Sequence, residues 1–342
     1  MIQEAIAKLV DGHDLTEEEA GACMDEIMAE QATAAQFGAF VVALRLKGET
    51  VDEITGMART MRDKALRVRV DGPLLDTCGT GGDGKATFNA STAAAFVAAG
   101  AGAKVAKHGN RAMTSECGSA DVLEALGAKL AASPEDVMIS IGEIGFGFMF
   151  AQAFHPAMKF AAGLRREIGV RTVFNILGPL TNPAGAEAQV VGVASAELAE
   201  KLANVLLKLG TKHALVVYGE DGFDEVSLSA PTNIYEVQAG NVRNYTVTPE
   251  ELGVETQKPA AVSGGAAEEN AKALRAVLSG ERGPLRDFTL INAAAALVAG
   301  DLAPDLKEGV SIAAKSIDSG AALEKLDAFV RVSNEAGQQR TG

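Results

Sequence analysis

Cysteine is scarce in this chain: three among 342 residues, Cys23, Cys78 and Cys117. The number is odd and the spacing does not suit a metal, which argues against a disulfide framework or a cysteine-bound zinc and points to a reducing compartment. Long apolar runs are also missing. No stretch approaches the roughly 18 residues of a membrane-spanning helix, and the opening Met1-Ile2-Gln3-Glu4 is not the cationic start of a secretory leader. The expected location is therefore cytoplasmic, with no membrane partner. Positive charge is in deficit as well: 31 Lys and Arg against 45 Asp and Glu leave a net charge of -14 and a pI of about 4.9. Nucleic-acid surfaces draw on fields of Lys and Arg, so nucleic acid is not an expected partner. An anionic ligand here has to meet a local cationic patch or a bound metal.

What is present is enough for a large core: 47% hydrophobic residues and a mean hydropathy of +0.11. The first 70 residues read as about four helices. Thr16-Glu17-Glu18-Glu19 and Thr50-Val51-Asp52-Glu53 are capping boxes, and Thr33 caps the apolar run that ends near Gly48. From residue 71 to 342 the pattern changes to short apolar strands alternating with helices, the signature of an α/β fold with a mostly parallel sheet. Strands are expected at 74–77, 103–106, 146–150, 189–193 and 214–218, with helices at 91–99, 120–126, 134–143 and 196–209. Runs at 233–238 and 242–247, joined by Ala239-Gly240-Asn241, read as an edge hairpin. A helix over 156–168 breaks at Gly169, and the tail from about 265 is helical.

The stretch Asp76-Thr77-Cys78-Gly79-Thr80-Gly81-Gly82-Asp83-Gly84 follows the first strand, and Asn89-Ala90-Ser91-Thr92 opens an alanine-rich helix directly after it. Glycines there let successive backbone N–H groups turn to one centre, and the helix N-terminus adds partial positive charge, so the loop is suited to anions. Gly79, Gly81 and Gly84 also satisfy the weak G-x-G-x-x-G pattern of dinucleotide sites. That reading needs an acidic residue at the end of the next strand, yet no Asp or Glu lies between Gly84 and Ser115. The place is cationic instead, at Lys107-His108.

A second group, Lys107 to Ser115, follows the second strand. Lys107 and Arg111 supply charge, Gly109 allows close backbone approach, and Asn110, Thr114 and Ser115 are neutral donors. Ser119 is the expected cap of a helix beginning at Ala120. Arg165, Arg166 and Arg171 complete a possible cationic patch. In the third group, Asp224-Glu225 place paired carboxylates on a flexible turn after a strand, where magnesium could join a substrate phosphate; a solvated acidic turn is the plain alternative. Two anion loops on neighbouring strands suit a ligand with phosphates at two ends.

Taken together, Gly79-Thr80-Gly81-Gly82-Asp83, Asn89-Ala90-Ser91-Thr92, Lys107-His108-Gly109-Asn110-Arg111, Gly118 to Glu124, Arg171 to Pro183 and Asp224-Glu225 resemble the anthranilate phosphoribosyltransferase family along most of the chain. The resemblance implies a small helical domain, with helices near 155–175 joining it, and a large α/β domain. It also implies a homodimer through the helical part. Gly79, Gly82, Asp83, Thr87, Asn89, Ala90, Ser91, Thr92, Lys107, His108, Gly109, Asn110, Arg111, Ala112, Met113, Thr114, Ser115 and Ser119 would bind phosphoribosyl pyrophosphate. Gly79, Asn110 and Arg165 would contact anthranilate, and Ser91, Asp224 and Glu225 would hold Mg2+. His108, the only histidine expected near the site, is a candidate proton relay. Cys117 stands where a small hydroxyl residue is the commoner choice. A pyrimidine nucleoside phosphorylase-like enzyme and a non-catalytic nucleic-acid-binding relative are the competing readings.

Overall fold

A computed structural model describes residues 1–82, 84–112 and 116–338. The chain opens with four helices, α1 (Ile2–Val10), α2 (Glu17–Met28), α3 (Ala34–Lys47) and α4 (Val51–Lys64). The capping boxes form as read, at Thr16 with Glu19, Thr50 with Glu53, and also Thr33 with Gln36. Gly21 and Gly56 let α2 and α4 approach closely: a Cβ on Gly56 would lie 2.0 Å from the Glu17 carbonyl oxygen.

The α/β part then runs β1 (Leu75–Gly79), α5 (Ala90–Gly100), β2 (Val105–Gly109), α6 (Ser119–Ala125), α7 (Pro134–Ile144), β3 (Phe146–Phe150), α8 (Ala151–Phe154), α9 (Lys159–Ile168), α10 (Phe174–Leu177), β4 (Ala188–Gly192), α11 (Ala196–Lys208) and β5 (His213–Gly219). The hairpin β6 (Thr232–Gln238) and β7 (Asn241–Val247) follows, and then α12 (Ala267–Leu278), α13 (Pro284–Ala299), α14 (Leu306–Asp318) and α15 (Ala321–Gln338). Among the described residues the strands make one seven-stranded sheet in the order β3-β2-β1-β4-β5-β6-β7. The first five are parallel and the hairpin is antiparallel at the edge. Its two-residue turn has positive φ at both Ala239 and Gly240, the geometry that matches strand twist.

Helices α5 and α13 are apolar on nearly every side and are correspondingly buried, sandwiched between one sheet face and the outer helices. On the other face α11 packs between the sheet and the bundle, and one apolar cluster runs through α1 to α4, α11, β4 and β5. Phe37 of α3 stacks on Phe174 of α10 at 5.5 Å and meets Phe160 of α9 edge-on at 6.5 Å. The segment 159–177 is thereby docked on the bundle while it borders the sheet's carboxyl edge.

Candidate active site

The parallel strands β1, β2, β4 and β5 end on the same edge. β1 lies between β2 and β4, so the winding reverses direction there, and that switch point opens the crevice in which ligands of such sheets bind. The glycine loop leaves β1 with Gly81 at φ 60° and Gly82 at φ 82°, a left-handed path that suits glycine. Gly81 N donates to Asp224 Oδ2 at 2.9 Å, and Thr80 N donates to Gly192 O at 2.8 Å. A Cβ on Gly192 would lie 1.5 Å from the Asp224 carbonyl oxygen, and one on Gly79 would lie 2.5 Å from Asp224 Oδ2. Lys85 Nζ donates to Asp221 O and stands 4.2 Å from the Phe223 ring centre. The turn carrying Asp224 and Glu225, read from sequence as flexible, is therefore pinned against the glycine loop and the end of β4.

Lys107, at 1% exposure, lies beneath this loop. Its Nζ donates to Thr77 O and stands 3.3 Å from Thr77 Oγ1 and 3.4 Å from Ser91 Oγ. Burial lowers its pKa, which the fields of Asp76 and Glu225 oppose. Ser91, Lys107 and Glu225 thus share one electrostatic neighbourhood. Burial likewise raises Asp76, whose carboxylate accepts from His108 N at 3.1 Å and Asn182 Nδ2 at 2.8 Å.

Several expected residues have other duties. Arg111 donates to both Glu124 oxygens and to Asp121 at 3.2 Å, so its charge is spent on α6. Ser119 does not cap that helix: Gly118 is the N-cap, Asp121 accepts from Gly118 N at 2.9 Å, and Ser119 Oγ donates to Asn110 O at 3.4 Å. A Cβ on Gly109 would lie 2.2 Å from Ser119 Oγ, so this glycine permits the close approach. Asn110 Oδ1 accepts from Arg111 N at 2.8 Å, and Ala112 N donates to Asp121 Oδ2 at 2.9 Å. Asn89 caps nothing with its side chain, which joins Cys117 O at 3.1 Å and Asn270 Nδ2 at 3.0 Å. Thr87 pairs with Ser263 in an isolated bridge. Ala90 and Thr92 are buried within α5. Burial pushes the Cys117 thiol up, away from a thiolate. Asp83, Met113, Thr114 and Ser115 lie outside the described residues.

The far wall comes from the segment 155–182. Arg165 is half-buried in the last turn of α9, its guanidinium 5.5 Å from the Phe174 ring centre, and burial lowers its pKa; Arg166 is exposed. Arg171 Nη2 donates to Gly81 O at 2.9 Å, and its guanidinium fills the space a Cβ on Gly82 would need. His108 is not the only histidine here, because the His155 ring stands 5.2 Å from it. Burial, helped by His155, pushes His108 down to about 3, and burial pushes His155 down to about 4. Both are neutral near pH 7 and weak bases. Sequence reasoning gave no role to His155 or Asn270 and named Asp76 and Asn182 only as parts of longer motifs; the polar Thr181-Asn182 after the apolar Ile176-Leu177 and Leu180 was the available signal.

The chain matches the glycosyl transferase family's helical bundle domain over residues 3–65 and its a/b domain over residues 71–323. An anthranilate phosphoribosyltransferase of Chloroflexus aggregans is 60% identical over 334 residues, 97% of this chain and 98% of that protein. The chain belongs to the anthranilate phosphoribosyltransferase family. A family member from Dehalococcoides mccartyi is 56% identical over 335 residues, again 97% of this chain and 98% of the relative. Among solved structures, the anthranilate phosphoribosyltransferase of Thermus thermophilus superposes with a TM-score of 0.92 at 48% identity, covering 96% of this chain and 99% of that one. The Saccharomyces cerevisiae member, solved in complex with PRPP and Mg, gives 0.90 at 29% identity over 98% of each chain. Membership favours the transferase reading over the phosphorylase and nucleic-acid-binding alternatives. It agrees with the helical bundle and mostly parallel sheet, and no helix among the described residues is long and apolar enough to cross a membrane.

Proposed function

We propose that this protein transfers the 5-phosphoribosyl group of phosphoribosyl pyrophosphate to the amine of anthranilate, in the cytoplasm, as a step of tryptophan biosynthesis. The bond from the ribose C1 to the pyrophosphate oxygen breaks, a bond from C1 to the aryl nitrogen forms, and that nitrogen loses a proton. The observation that carries this reading is the 2.9 Å contact between Gly81 N and Asp224 Oδ2. That contact brings the glycine loop, whose backbone is suited to phosphate, against the paired-carboxylate turn that the sequence singled out as a place for magnesium.

Gly79, Gly82, Asp83, Thr87, Asn89 to Thr92, Lys107 to Ser115 and Ser119 are assigned to phosphoribosyl pyrophosphate, with Arg111, Ala90 and Thr92 serving through their backbone, since Asp121 and Glu124 hold the Arg111 guanidinium and α5 buries the other two. Gly79, Asn110 and Arg165 are assigned to anthranilate; a planar guanidinium matches a carboxylate, and the partial burial of Arg165 favours it over exposed Arg166. Asp224, Glu225 and Ser91 offer hard oxygens, and the described residues contain no cluster of three or more His, Cys, Asp or Glu. That set fits magnesium, which prefers one or two carboxylates with water and substrate phosphate. When bound, the metal would neutralise charge on the departing pyrophosphate. The chain's own task is to hold the two substrates in line and to aim the glycine-loop amides at developing charge. The aryl amine is uncharged at neutral pH, so no strong base is required.

We take residues 1–70 as the small helical domain, joined by the helices of 155–175, which run within the large α/β domain of 71–342. A homodimer through the bundle fits its exposed apolar residues Val10 (69%) and Leu46 (82%). Incubation with anthranilate, phosphoribosyl pyrophosphate and magnesium is expected to extinguish anthranilate fluorescence, and a chelator to prevent it. Persistent fluorescence with all three present would overturn the assignment.

A further inference from the structure

Between α10 and β4 runs a short strap, Gly178 to Asn182, that is held at every residue by a side chain. His108 Nδ1 stands 3.2 Å from Gly178 O, Gln189 Nε2 donates to Pro179 O, Arg62 Nε donates to Leu180 O at 2.6 Å, and His155 Nε2 stands 3.1 Å from Thr181 O. Asn182 Nδ2 closes the series on Asp76 Oδ2 and Ala106 O, both at 2.8 Å. Four successive carbonyls are thus taken by side chains from β2, β4, α4 and the turn after α8.

A carbonyl oxygen only accepts, so the ring nitrogen facing it carries the proton. His108 is held as the Nδ1–H form and His155 as the Nε2–H form. The other two nitrogens, His108 Nε2 and His155 Nδ1, are then acceptors, and both are buried with no hydrogen-bond partner among the described residues. Bare buried acceptors are destabilising unless something fills them, and two of them, on rings whose centres lie 5.2 Å apart, suit a ligand bearing N–H donors.

Arg62 is the member of this arrangement that belongs to the helical bundle. Its charge is largely buried, burial and then Arg59 pull its pKa down to about 10, and it directs its Nε–H to the last carbonyl of the 3-10 turn Gly178–Leu180. A buried guanidinium directed at a backbone carbonyl is costly. It is placed where a cation favours the end of a helical turn.

We propose that Arg62 is a positioning residue: by holding Leu180 it fixes the strap whose carbonyls orient His108 and His155, and so couples the helical bundle to two bare ring nitrogens that would receive the acceptor's N–H, while His108 serves phosphoribosyl pyrophosphate through the backbone of its loop. This rests on the reading of anthranilate as the acceptor. The test uses the full-length chain, with Arg62→Met removing the donor and Arg62→Gln keeping a neutral N–H. Long-range proton–nitrogen NMR of the histidine rings is expected to show His108 protonated at Nδ1 and His155 at Nε2 in the wild type, with mixed tautomers in R62M. The KM for anthranilate is expected to rise on the order of tenfold in R62M, with the KM for phosphoribosyl pyrophosphate within about twofold and R62Q between the two, as loss of a charge-assisted hydrogen bond implies. Unchanged ring signals with an unchanged anthranilate KM, or an equal rise in both KM values, overturn the proposal. If R62M does not fold, R62Q decides by the same split. A wild type protonated at His108 Nε2 overturns it outright. A wild-type chain that leaves anthranilate untouched defeats the activity reading alone, and the ring tautomers still decide the positioning role.

Discussion

The two ends of the parallel sheet bury the same kinds of side chain and settle them in opposite ways. At the amino end, His213 of β5 lies between Glu236 Oε1 at 3.1 Å and Asp301 Oδ1 at 2.8 Å, and Glu236 Oε2 accepts from Arg243 Nε at 3.1 Å and Nη2 at 2.9 Å. Burial acts to lower His213, but the two carboxylates more than offset it and its pKa rises. Burial acts to raise Glu236, but donors on His213, Tyr245 and Arg243 bring it down to about 2. At the carboxyl end, the His108 and His155 rings face carbonyls and each other, no carboxylate among the described residues pairs with either ring, and both are pushed far down. A buried group closed by opposite charge stabilises the fold; one left with an open valence at the carboxyl edge of a parallel sheet is a candidate for a ligand.

The strongest way to break this contrast is at the carboxyl end. Glu225→Ala is expected to lower kcat/KM by about three orders of magnitude, the scale of lost metal charge stabilisation, with little change in Tm. Steady-state kinetics across a magnesium titration checks this, and activity within tenfold of wild type would remove Glu225 from the metal. Arg165→Ala comes next. It should raise the anthranilate KM by about a hundredfold, the worth of a lost charged hydrogen-bonding partner, and leave the other substrate's KM nearly intact. An equal loss for both substrates argues against its role.

Most of this architecture is legible in short windows of sequence. The Thr16, Thr33 and Thr50 caps, the turn at Ala239-Gly240 and the glycine loop after β1 depend on neighbours within four residues, and all appear where expected. The strand expected at 103–106 runs instead from Val105 to Gly109, because Lys107 and His108 pair with Phe148 and Met149 of β3 despite their polarity. What sequence windows could not give is set by strand order. The close packing of Asp224 depends on Gly192, the charge of Arg111 is taken by Glu124, and His155 lies beside His108 with both rings on carbonyls of the same strap.

A smaller effect is expected at His108 itself. A buried imidazole near pKa 3 is a poor proton acceptor, so His108→Gln should cost no more than about tenfold in kcat/KM, below the hundredfold or more typical of a lost general base. Its pH profile should superimpose on that of the wild type after scaling. Loss of a limb from the profile would restore His108 as a proton relay.

His213→Gln tests the other end and should leave activity unaltered. Its effect belongs in stability, and the sign follows from the direction of the shift. Folding raises the His213 pKa above its ordinary 6.5, so the stabilisation it brings is fully present below pH 6.5 and is lost as pH rises through the folded value. Glu236 contributes oppositely: its share is present above 4.5 and is lost as pH falls toward about 2. The two windows overlap between roughly pH 4.5 and 6.5, where the wild type should exceed the variant by about 1 to 3 kcal/mol, the range for hydrogen bonds to charged groups. Urea denaturation near pH 5.5 and again near pH 9 measures the difference, which should shrink at the higher pH. A difference that grows instead would mean that His213 is held neutral, and the two ends of the sheet would no longer differ in the way their hydrogen bonds require.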